Sequence, residues 1–394
     1  MQINTNSRLR FTCDAVCENS AARACTFTTL HNTVQTPVFM PVATFGSMRT
    51  QTLDQVQNIG FPVLLANTYH LLLRPGPDVF KKVCGIHRFM NWNRSILTDS
   101  GGYQIFSLSK SFTISKKGAR FRSYVDGREY LLSPETSIGM QKVIGSDIMM
   151  VLDQCISSRA DETECKKSID ITARWAQRSL DARGESPQSL FGIVQGACFE
   201  HLRRISAAQI TSMPFDGFAI GGLAVGETAD ERKDMTELVA GLLPVNRPRY
   251  LMGVGTPIDL LEAVHRGVDM FDCIMPTSMA SQGIAYTSSG KMELHRSVYK
   301  MDDTALDEKC DCDACKKYSR AYLHHLVKVD EYFGAYLIGQ HNLRFYHNLM
   351  NEMRTHILTG NFRSFYNSKK EELVRGDDSN PKIKPRVRRD RKKT

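Results

Sequence analysis

Eight short apolar runs recur along the chain, and stretches with helical periodicity separate most of them. The apolar runs are Val38–Val42, Val63–Ala66, Ile96–Leu97, Ile148–Leu152, Leu190–Val194, Gly217–Ile220, Tyr250–Met252 and Val268–Phe271. The helical patterns are Leu53–Ile59, Pro134–Ile144, Asp161–Asp181, Glu200–Ala208, Ala229–Leu243 and Pro257–Arg266. Apolar strands that alternate with helices indicate a parallel sheet covered on both faces, and eight of them close a barrel. We therefore predict an α/β fold, a (β/α)8 TIM barrel, with a doubly wound open sheet as the alternative.

Composition is that of a globular protein able to bury a large core. The chain has 394 residues, of which 42% are hydrophobic and 24% charged. No apolar run approaches the roughly 20 residues that cross a bilayer, and no signal-peptide pattern opens the chain, so we expect a cytoplasmic protein without membrane contact. The eleven cysteines are then expected to be reduced thiols.

The positive charge is concentrated at the end of the chain. The formal net charge is +9, and the segment Pro381–Thr394 holds eight Lys or Arg against one Asp. The rest of the chain is nearly balanced, so we expect a basic, disordered tail over residues 367–394. Such a tail is either a solvated appendage or a contact for nucleic acid.

Polar residues and glycines follow most of the apolar runs. Asp99, Asp153 and Asp272 each stand at or near the end of a predicted strand. In a barrel these ends meet at the face where active sites form, so the carboxylates are expected to share one pocket. Gly101 and Gly102 next to Asp99 would let a flat ligand approach the backbone. The alternative is a set of ordinary turn residues.

Two further segments stand apart from the barrel pattern. Ser111–Ser133 alternates apolar and basic residues and predicts β-hairpins over the barrel mouth, either solvated or facing phosphate. The cluster Cys310, Cys312 and Cys315 has the spacing of a structural zinc site. The predicted fourth ligand is His341, near the end of a helical stretch that we predict from Tyr318 to His347. Four protein ligands leave no open position, so we expect one structural Zn2+ per subunit.

Several motifs together resemble those of the tRNA-guanine transglycosylases of the bacterial type, from about residue 11 to about residue 366. They are Thr98-Asp-Ser-Gly-Gly-Tyr-Gln104, Asn67-Thr-Tyr-His70, Gly192-Ile-Val-Gln-Gly196, Gly221-Gly-Leu-Ala-Val-Gly-Glu227, Tyr250-Leu-Met-Gly-Val-Gly255, Phe271-Asp-Cys273 and the cysteine cluster. The resemblance implies a barrel with a zinc subdomain at about residues 291–350 and a homodimer. It also implies queuosine biosynthesis, in which the wobble guanine of G-U-N anticodons is exchanged for a 7-deazaguanine in the tRNAs for aspartate, asparagine, histidine and tyrosine.

Base exchange on an intact RNA is a retaining glycosyl transfer, which uses one carboxylate as nucleophile and a second as acid/base. By resemblance, Asp272 forms a covalent RNA intermediate and Asp99 moves the proton of the leaving or entering base. The residues that the resemblance places around the base are Ser100, Gly101, Gly102, Tyr103, Asp153, Gln195, Gly222, Leu223 and Met252. Those that it places against tRNA are Gly253, Val254, Gly255, Thr256, Pro257, Ile258, Asp259, Thr277, Ser278, Met279, Ala280 and Ser281.

The chain departs from the family pattern in one loop. The family usually has two arginines where this chain has Ser278 and Ser281. The resemblance therefore does not say which side chains contact the anticodon loop there. Cys155 and Val225 match the bacterial pocket for preQ1, with queuine as the alternative base. Three other classes share parts of the pattern: a (β/α)8 glycosidase, a catalytically silent tRNA-binding partner subunit, and a zinc hydrolase, which the closed metal site disfavours.

Overall fold

The structure, a computed structural model, describes residues 8–108 and 112–377. Its strands are β1 (Arg10–Val16), β2 (Arg23–Thr28), β3 (Thr33–Gln35), β4 (Val38–Pro41), β5 (Val63–Ala66), β6 (Ser95–Thr98), β7 (Phe112–Ile114), β8 (Ala119–Arg122), β9 (Glu129–Leu132), β10 (Ile148–Met150), β11 (Ser189–Val194), β12 (Gly217–Ile220), β13 (Arg249–Leu251), β14 (Met270–Cys273), β15 (Ile284–Thr287) and β16 (Gly290–Glu293).

The helices of the described residues are α1 (Leu53–Ile59), α2 (Thr68–Leu73), α3 (Pro77–Val83), α4 (Ile86–Met90), α5 (Gly102–Leu108), α6 (Pro134–Ile144), α7 (Glu162–Arg183), α8 (Glu200–Thr211), α9 (Ala229–Leu242), α10 (Pro257–His265), α11 (Met275–Ala280), α12 (Asp313–Lys317), α13 (Arg320–Lys328), α14 (Tyr332–Leu358) and α15 (Phe362–Leu373). A 3-10 turn spans Ser297–Met301. Within these residues, the molecule has no helix whose length and hydropathy would suit a bilayer.

Eight strands of the described chain form one parallel sheet in the order β4-β14-β13-β12-β11-β10-β6-β5. The two outer strands meet as well, because Val42 pairs with Leu65 in parallel and the Ala43 N–H donates to the Leu65 carbonyl at 2.7 Å. The sheet is thus a closed barrel. Each strand corresponds to one of the eight apolar runs, and the predicted (β/α)8 fold is confirmed.

Local sequence explains where the outer helices begin and end. In α6, Ser133 caps the first turn, Pro134 follows at its start, and Gly145 ends the helix with a φ of 75°. Thr228 and Thr256 cap α9 and α10 in the same way. Because α9 and α10 begin just after the loops that leave β12 and β13, their caps help to hold these loops at the mouth.

The segment between β6 and β10 forms the predicted hairpins. Strands β7 and β8 pair antiparallel, as do β8 and β9. Phe121 of β8 is buried and lies against Tyr69, with ring centroids 5.1 Å apart. Residues 109–111, including the predicted Ser111 boundary, lie outside the described residues. The basic hairpin residue Arg120 pairs with Glu129 inside the hairpin.

The C-terminal region has a core of its own, built around Leu294, Leu306, Leu323 and Ile338. We expected one helical stretch from Tyr318 to His347, but the chain breaks between α13 and α14 around Asp330, whose φ is 60°. Helix α14 then continues to Leu358, so the predicted fourth metal ligand lies inside a long helix instead of near its end.

The folded chain also continues beyond residue 366, where we expected the tail to begin. Helix α15 extends to Leu373, and the Asp377 carboxylate forms an ion pair with the buried Arg296 at 2.8 Å. Residue Gly376 bridges to Lys291 of β16. These contacts attach residues 367–377 to the C-terminal region, whereas the basic segment Pro381–Thr394 lies outside the described residues.

Candidate active site

A cavity of about 380 Å³ opens at the carboxyl ends of the barrel strands. Eight of the nine residues predicted around the base line it, together with Asp99 and Asp272: Ser100, Gly101, Tyr103, Asp153, Gln195, Gly222, Leu223 and Met252. Gly102 does not line it. A Cβ at Gly102 would lie 2.6 Å from the Asp153 carbonyl oxygen, so this glycine permits two strand ends to approach each other.

Asp99 is held at the end of β6 by two hydrogen bonds. The Asn67 side-chain amide donates to Oδ2 at 2.6 Å, and the Thr68 N–H donates to Oδ1 at 2.8 Å. The side chain is buried, and burial raises its pKa from 3.8 to about 6, to which the nearby Asp272 charge adds. Asp99 therefore exchanges its proton close to neutral pH, which suits a general acid and base.

Asp272 is held by two donors on the same oxygen. The Tyr250 hydroxyl donates to Oδ1 at 2.5 Å and the Gly253 N–H at 2.8 Å. Burial raises the pKa of this carboxyl, while both hydrogen bonds oppose the rise. The donors fix Oδ1 and leave Oδ2 as the oxygen that can act on a ligand in the cavity.

Asp153 and Gln195 form a pair beside the two carboxylates. The Gln195 side-chain amide donates to Asp153 Oδ2 at 2.7 Å, and the Ser100 hydroxyl donates to Oδ1 at 3.1 Å. Within the described part of the chain, the buried Gln195 Oε1 has no hydrogen-bond partner. Because Gln195 lines the cavity, this oxygen can accept a hydrogen bond from the polar edge of a ligand.

The loop after β12 closes the other side of the cavity. Glu227 accepts hydrogen bonds from the N–H groups of Ala224 and Val225, at 2.5 and 3.1 Å, and forms an ion pair with Arg232. Val225 and the buried Cys155 both line the cavity. Tyr103 also lines it and is half exposed, so an aromatic face is available for stacking.

Sequence reasoning missed the residues that orient the two carboxylates, among them Tyr250. Tyr250 lies within one of the family motifs, but its fully buried hydroxyl contact with Asp272 was not predicted. The strand position of Tyr250 was the signal that could have placed it in the site. Tyr250 and Met252 are two residues apart, which is the spacing of side chains on one face of a strand. Both residues line the cavity.

The residues predicted to contact tRNA fall into two groups. Val254, Gly255, Pro257, Thr277 and Ala280 are buried, and their contact with tRNA stays a prediction. They are buried because the loop and α11 pack onto the barrel; the Tyr346 hydroxyl, for example, donates to the Gly255 carbonyl at 2.5 Å. The members with exposed surface are Gly253, Thr256, Ile258, Asp259, Ser278, Met279 and Ser281.

A group of side chains that could hold a metal ion lies in the C-terminal region, away from the cavity lining. Cys310, Cys312, Cys315 and His341 offer ligand atoms within 4.8 Å of one another. His341 Nδ1 lies 3.7 Å from the Cys312 sulfur and 3.3 Å from that of Cys315, close to the roughly 3.6 Å expected between sulfur and nitrogen in a tetrahedral zinc site.

The second nitrogen of His341 explains the orientation of the ring. Its Nε2–H donates to the Tyr286 carbonyl at 2.8 Å, which leaves the Nδ1 lone pair facing the sulfurs. The predicted ligand set thus comes together as a group that can hold a metal ion.

Comparison with known proteins gives matches over most of the chain. The family model described as queuine tRNA-ribosyltransferase matches residues 17–374. A Halalkalibacterium halodurans protein of that name is 46% identical over 350 residues, covering 89% of this chain and 92% of its own length. Proteins of the same name from Streptococcus agalactiae and Thioalkalivibrio sulfidiphilus are 47% and 46% identical, covering 88% and 89% of this chain and 92% and 95% of their own lengths.

Proposed function

Because the chain belongs to the queuine tRNA-ribosyltransferase family, and is thus a pentosyltransferase acting as a tRNA-guanine transglycosylase, we propose that it replaces the wobble guanine of G-U-N anticodons through a covalent tRNA intermediate on Asp272. One observation carries the proposal. Two carboxylates, Asp99 and Asp272, line one cavity with the Asp153–Gln195 pair, which is the set that base removal and base recognition require.

The proposed reaction has two matched halves. In the first, Asp272 attacks C1′ of the wobble ribose, the bond from C1′ to the guanine nitrogen breaks, and Asp99 gives its proton to the leaving guanine. In the second, Asp99 takes a proton from the entering base, whose nitrogen attacks C1′ and releases Asp272. The raised pKa of Asp99, about 6, supports both roles near neutral pH.

Recognition of the base is assigned to the remaining lining residues. Asp153 and Gln195 have polar atoms for the edge of a guanine-like ring, and the Gly222 amide with the Leu223 carbonyl is proposed to complete the set. Tyr103 and Met252 are proposed to lie on the two faces of the ring, since stacking holds a base that has left its own stack.

For the entering base we propose preQ1 rather than queuine. Val225 and Cys155 line the cavity, and a branched side chain at Val225 restricts the space for the cyclopentenediol of queuine. Exchange rates for the two bases on the same tRNA test this choice. Faster incorporation of queuine would contradict it.

The metal group fits zinc, because three sulfurs and an imidazole at tetrahedral spacing are the ligands that structural zinc takes. We propose that Cys310, Cys312, Cys315 and His341 bind one Zn2+, whose role is to hold the C-terminal region together. We further propose a cytoplasmic homodimer, with the tRNAs for aspartate, asparagine, histidine and tyrosine as substrates.

Incorporation of labelled guanine into a purified tRNA tests the function. The protein should label a tRNA with a G-U-N anticodon and leave a matched tRNA with adenine at the wobble position unlabelled. Absence of label in the G-U-N tRNA would refute transglycosylation and favour a tRNA-binding partner subunit.

A further inference from the structure

Arg203 of α8 is a fully buried cation beneath the turns that follow β11 and β12. Its Nη1 donates to the carbonyls of Val194 and Gly221, at 3.1 and 2.7 Å. Its Nε donates to Ala197 at 2.8 Å, and its Nη2 to Gly222 at 3.2 Å. One guanidinium therefore ties both turns together.

The hydrogen-bond partners of the Arg203 side chain are all backbone carbonyls. Buried Arg23 and Arg183 each pair with an aspartate, whereas no carboxylate among the described residues lies within ion-pair distance of Arg203. Burial lowers the pKa of Arg203 to about 10, so the side chain stays charged at neutral pH. Burial of a charge without an ionic partner is unfavourable, so the hydrogen bonds to carbonyls are what hold this guanidinium in place.

The carbonyls it holds set the direction of an amide in the cavity. A trans peptide unit points its C=O and its N–H to opposite sides. Because the Gly221 carbonyl is held by Arg203 below the turn, the N–H of Gly222 is turned away from Arg203. The Gln195 side chain lies against the same turn, since a Cβ at Gly222 would be 2.2 Å from Gln195 Oε1.

We propose that Arg203 is a positioning residue for base recognition, which fixes the spacing between Gln195 and the Gly222 amide by holding the two turns that carry them. This inference rests on the proposed function, in which those two groups meet the base. It assigns Arg203 an effect on the affinity for the base and none on the affinity for tRNA.

A matched control exists at the opposite end of the barrel. Arg249 begins β13, is buried, and donates to the Leu243 and Gly267 carbonyls at 3.0 and 3.3 Å. Burial lowers its pKa to about 10 as well. Changes at Arg249 therefore report the general effect of losing a buried guanidinium that is bonded to carbonyls.

The experiment measures KM for labelled guanine and for G-U-N tRNA in wild-type protein and in Arg203→Gln, Arg203→Lys and Arg249→Gln, with thermal unfolding of each. Arg203→Gln should raise the guanine KM by roughly 10-fold or more, the effect of removing hydrogen bonds to a charged group, with the tRNA KM within about twofold. Arg203→Lys should raise the guanine KM less than Arg203→Gln does, since an ammonium keeps the charge but cannot bond to both turns at once. Arg249→Gln should lower the unfolding temperature and leave the guanine KM within about twofold of wild type.

An unchanged guanine KM in folded Arg203→Gln would overturn the proposal, as would an equal rise in Arg249→Gln. If Arg203→Gln does not fold, Arg203→Lys decides by the same criterion. These outcomes presuppose exchange by the wild-type protein. Its absence there would instead refute the transglycosylase function, and the positioning role with it.

Discussion

The hydroxyl of Tyr250 donates a 2.5 Å hydrogen bond to Oδ1 of Asp272, the oxygen that also accepts from the Gly253 N–H. Tyr250 is itself buried, in the strand next to that of Asp272. The two hydrogen bonds hold the carboxylate in one orientation. They also favour its charged form, which burial disfavours.

Replacement of Tyr250 by phenylalanine should make the exchange reaction more sensitive to acid. Loss of the hydroxyl should raise the pKa of Asp272 further above its ordinary value, so less of this proposed nucleophile is ionised as pH falls. We expect a rate roughly 10-fold lower than wild type near pH 5.5, with a smaller difference at pH 8.5. A pH profile of single-turnover exchange measures this.

Tyr346→Phe is the control for that variant. The Tyr346 hydroxyl is also buried and donates at 2.5 Å, but to the Gly255 carbonyl instead of a carboxylate. Removal of the Tyr346 hydroxyl should leave the pH profile of exchange unchanged. An equal displacement in both variants would show that the effect of Tyr250 is not exerted through Asp272.

Asp99→Asn should slow exchange by roughly 10²–10⁴-fold, the usual contribution of a positioned acid/base group. The covalent adduct should form slowly in this variant but remain detectable, since Asp272 is intact. Quenched time courses of adduct and free guanine measure both. Wild-type rates would remove Asp99 from the mechanism.

The same substitution should stabilise the protein above neutral pH. Because the folded-state pKa of Asp99, about 6, exceeds its ordinary 3.8, ionisation of Asp99 disfavours the folded state. The gain from Asp99→Asn should be near zero below pH 4, grow between pH 4 and 6, and reach about 1–3 kcal/mol above pH 6. Denaturant unfolding across pH measures it; a pH-independent difference would contradict the raised pKa.

Zinc removal should destabilise the C-terminal region without altering the chemical step. His341→Ala should lose zinc to a chelator and lower the unfolding temperature by at least about 5 °C. His324→Ala is the control, because His324 is buried and bonded to the Leu294 carbonyl but lies outside the ligand group. Full zinc retention in His341→Ala would contradict the ligand assignment.

Deletion of Pro381–Thr394 should weaken tRNA binding and flatten its salt dependence by about one unit of slope for each phosphate that the protein no longer neutralises. The eight basic residues of this segment are proposed to offset the two arginines that Ser278 and Ser281 replace. A full-length variant with those eight residues changed to glutamine separates charge from length. Identical salt slopes in all three proteins would make the segment a solvated appendage.

The barrel and its polar strand ends could be predicted because continuous apolar runs and turn residues are local signals. The helices α2, α3 and α4 were not predicted, because they have five to seven residues and no side-chain cap at their start, whereas the equally short α1 follows the capping residue Thr52. The role of Arg203 could not be predicted either, because in the sequence it is one polar residue of an amphipathic helix. Its burial depends on two turns that α8 meets only after the barrel has closed.

The segment that holds Ser278 and Ser281 shows a second limit of sequence reasoning. A motif places Thr277 and Ala280 in a contact segment, but packing of α11 against α14 decides which of its side chains face outward. His341 shows the opposite case. The structure brings His341 together with the three cysteines, as predicted, although its position within α14 was not predicted.

The most direct test of the proposed mechanism is capture of the tRNA adduct on a denaturing gel, followed by identification of the modified peptide by mass spectrometry. Wild-type protein mixed with G-U-N tRNA should give a covalent complex whose modified residue is Asp272, and Asp272→Asn should give none. An adduct at wild-type level in Asp272→Asn, or one located on Asp99, would contradict the assignment of the nucleophile.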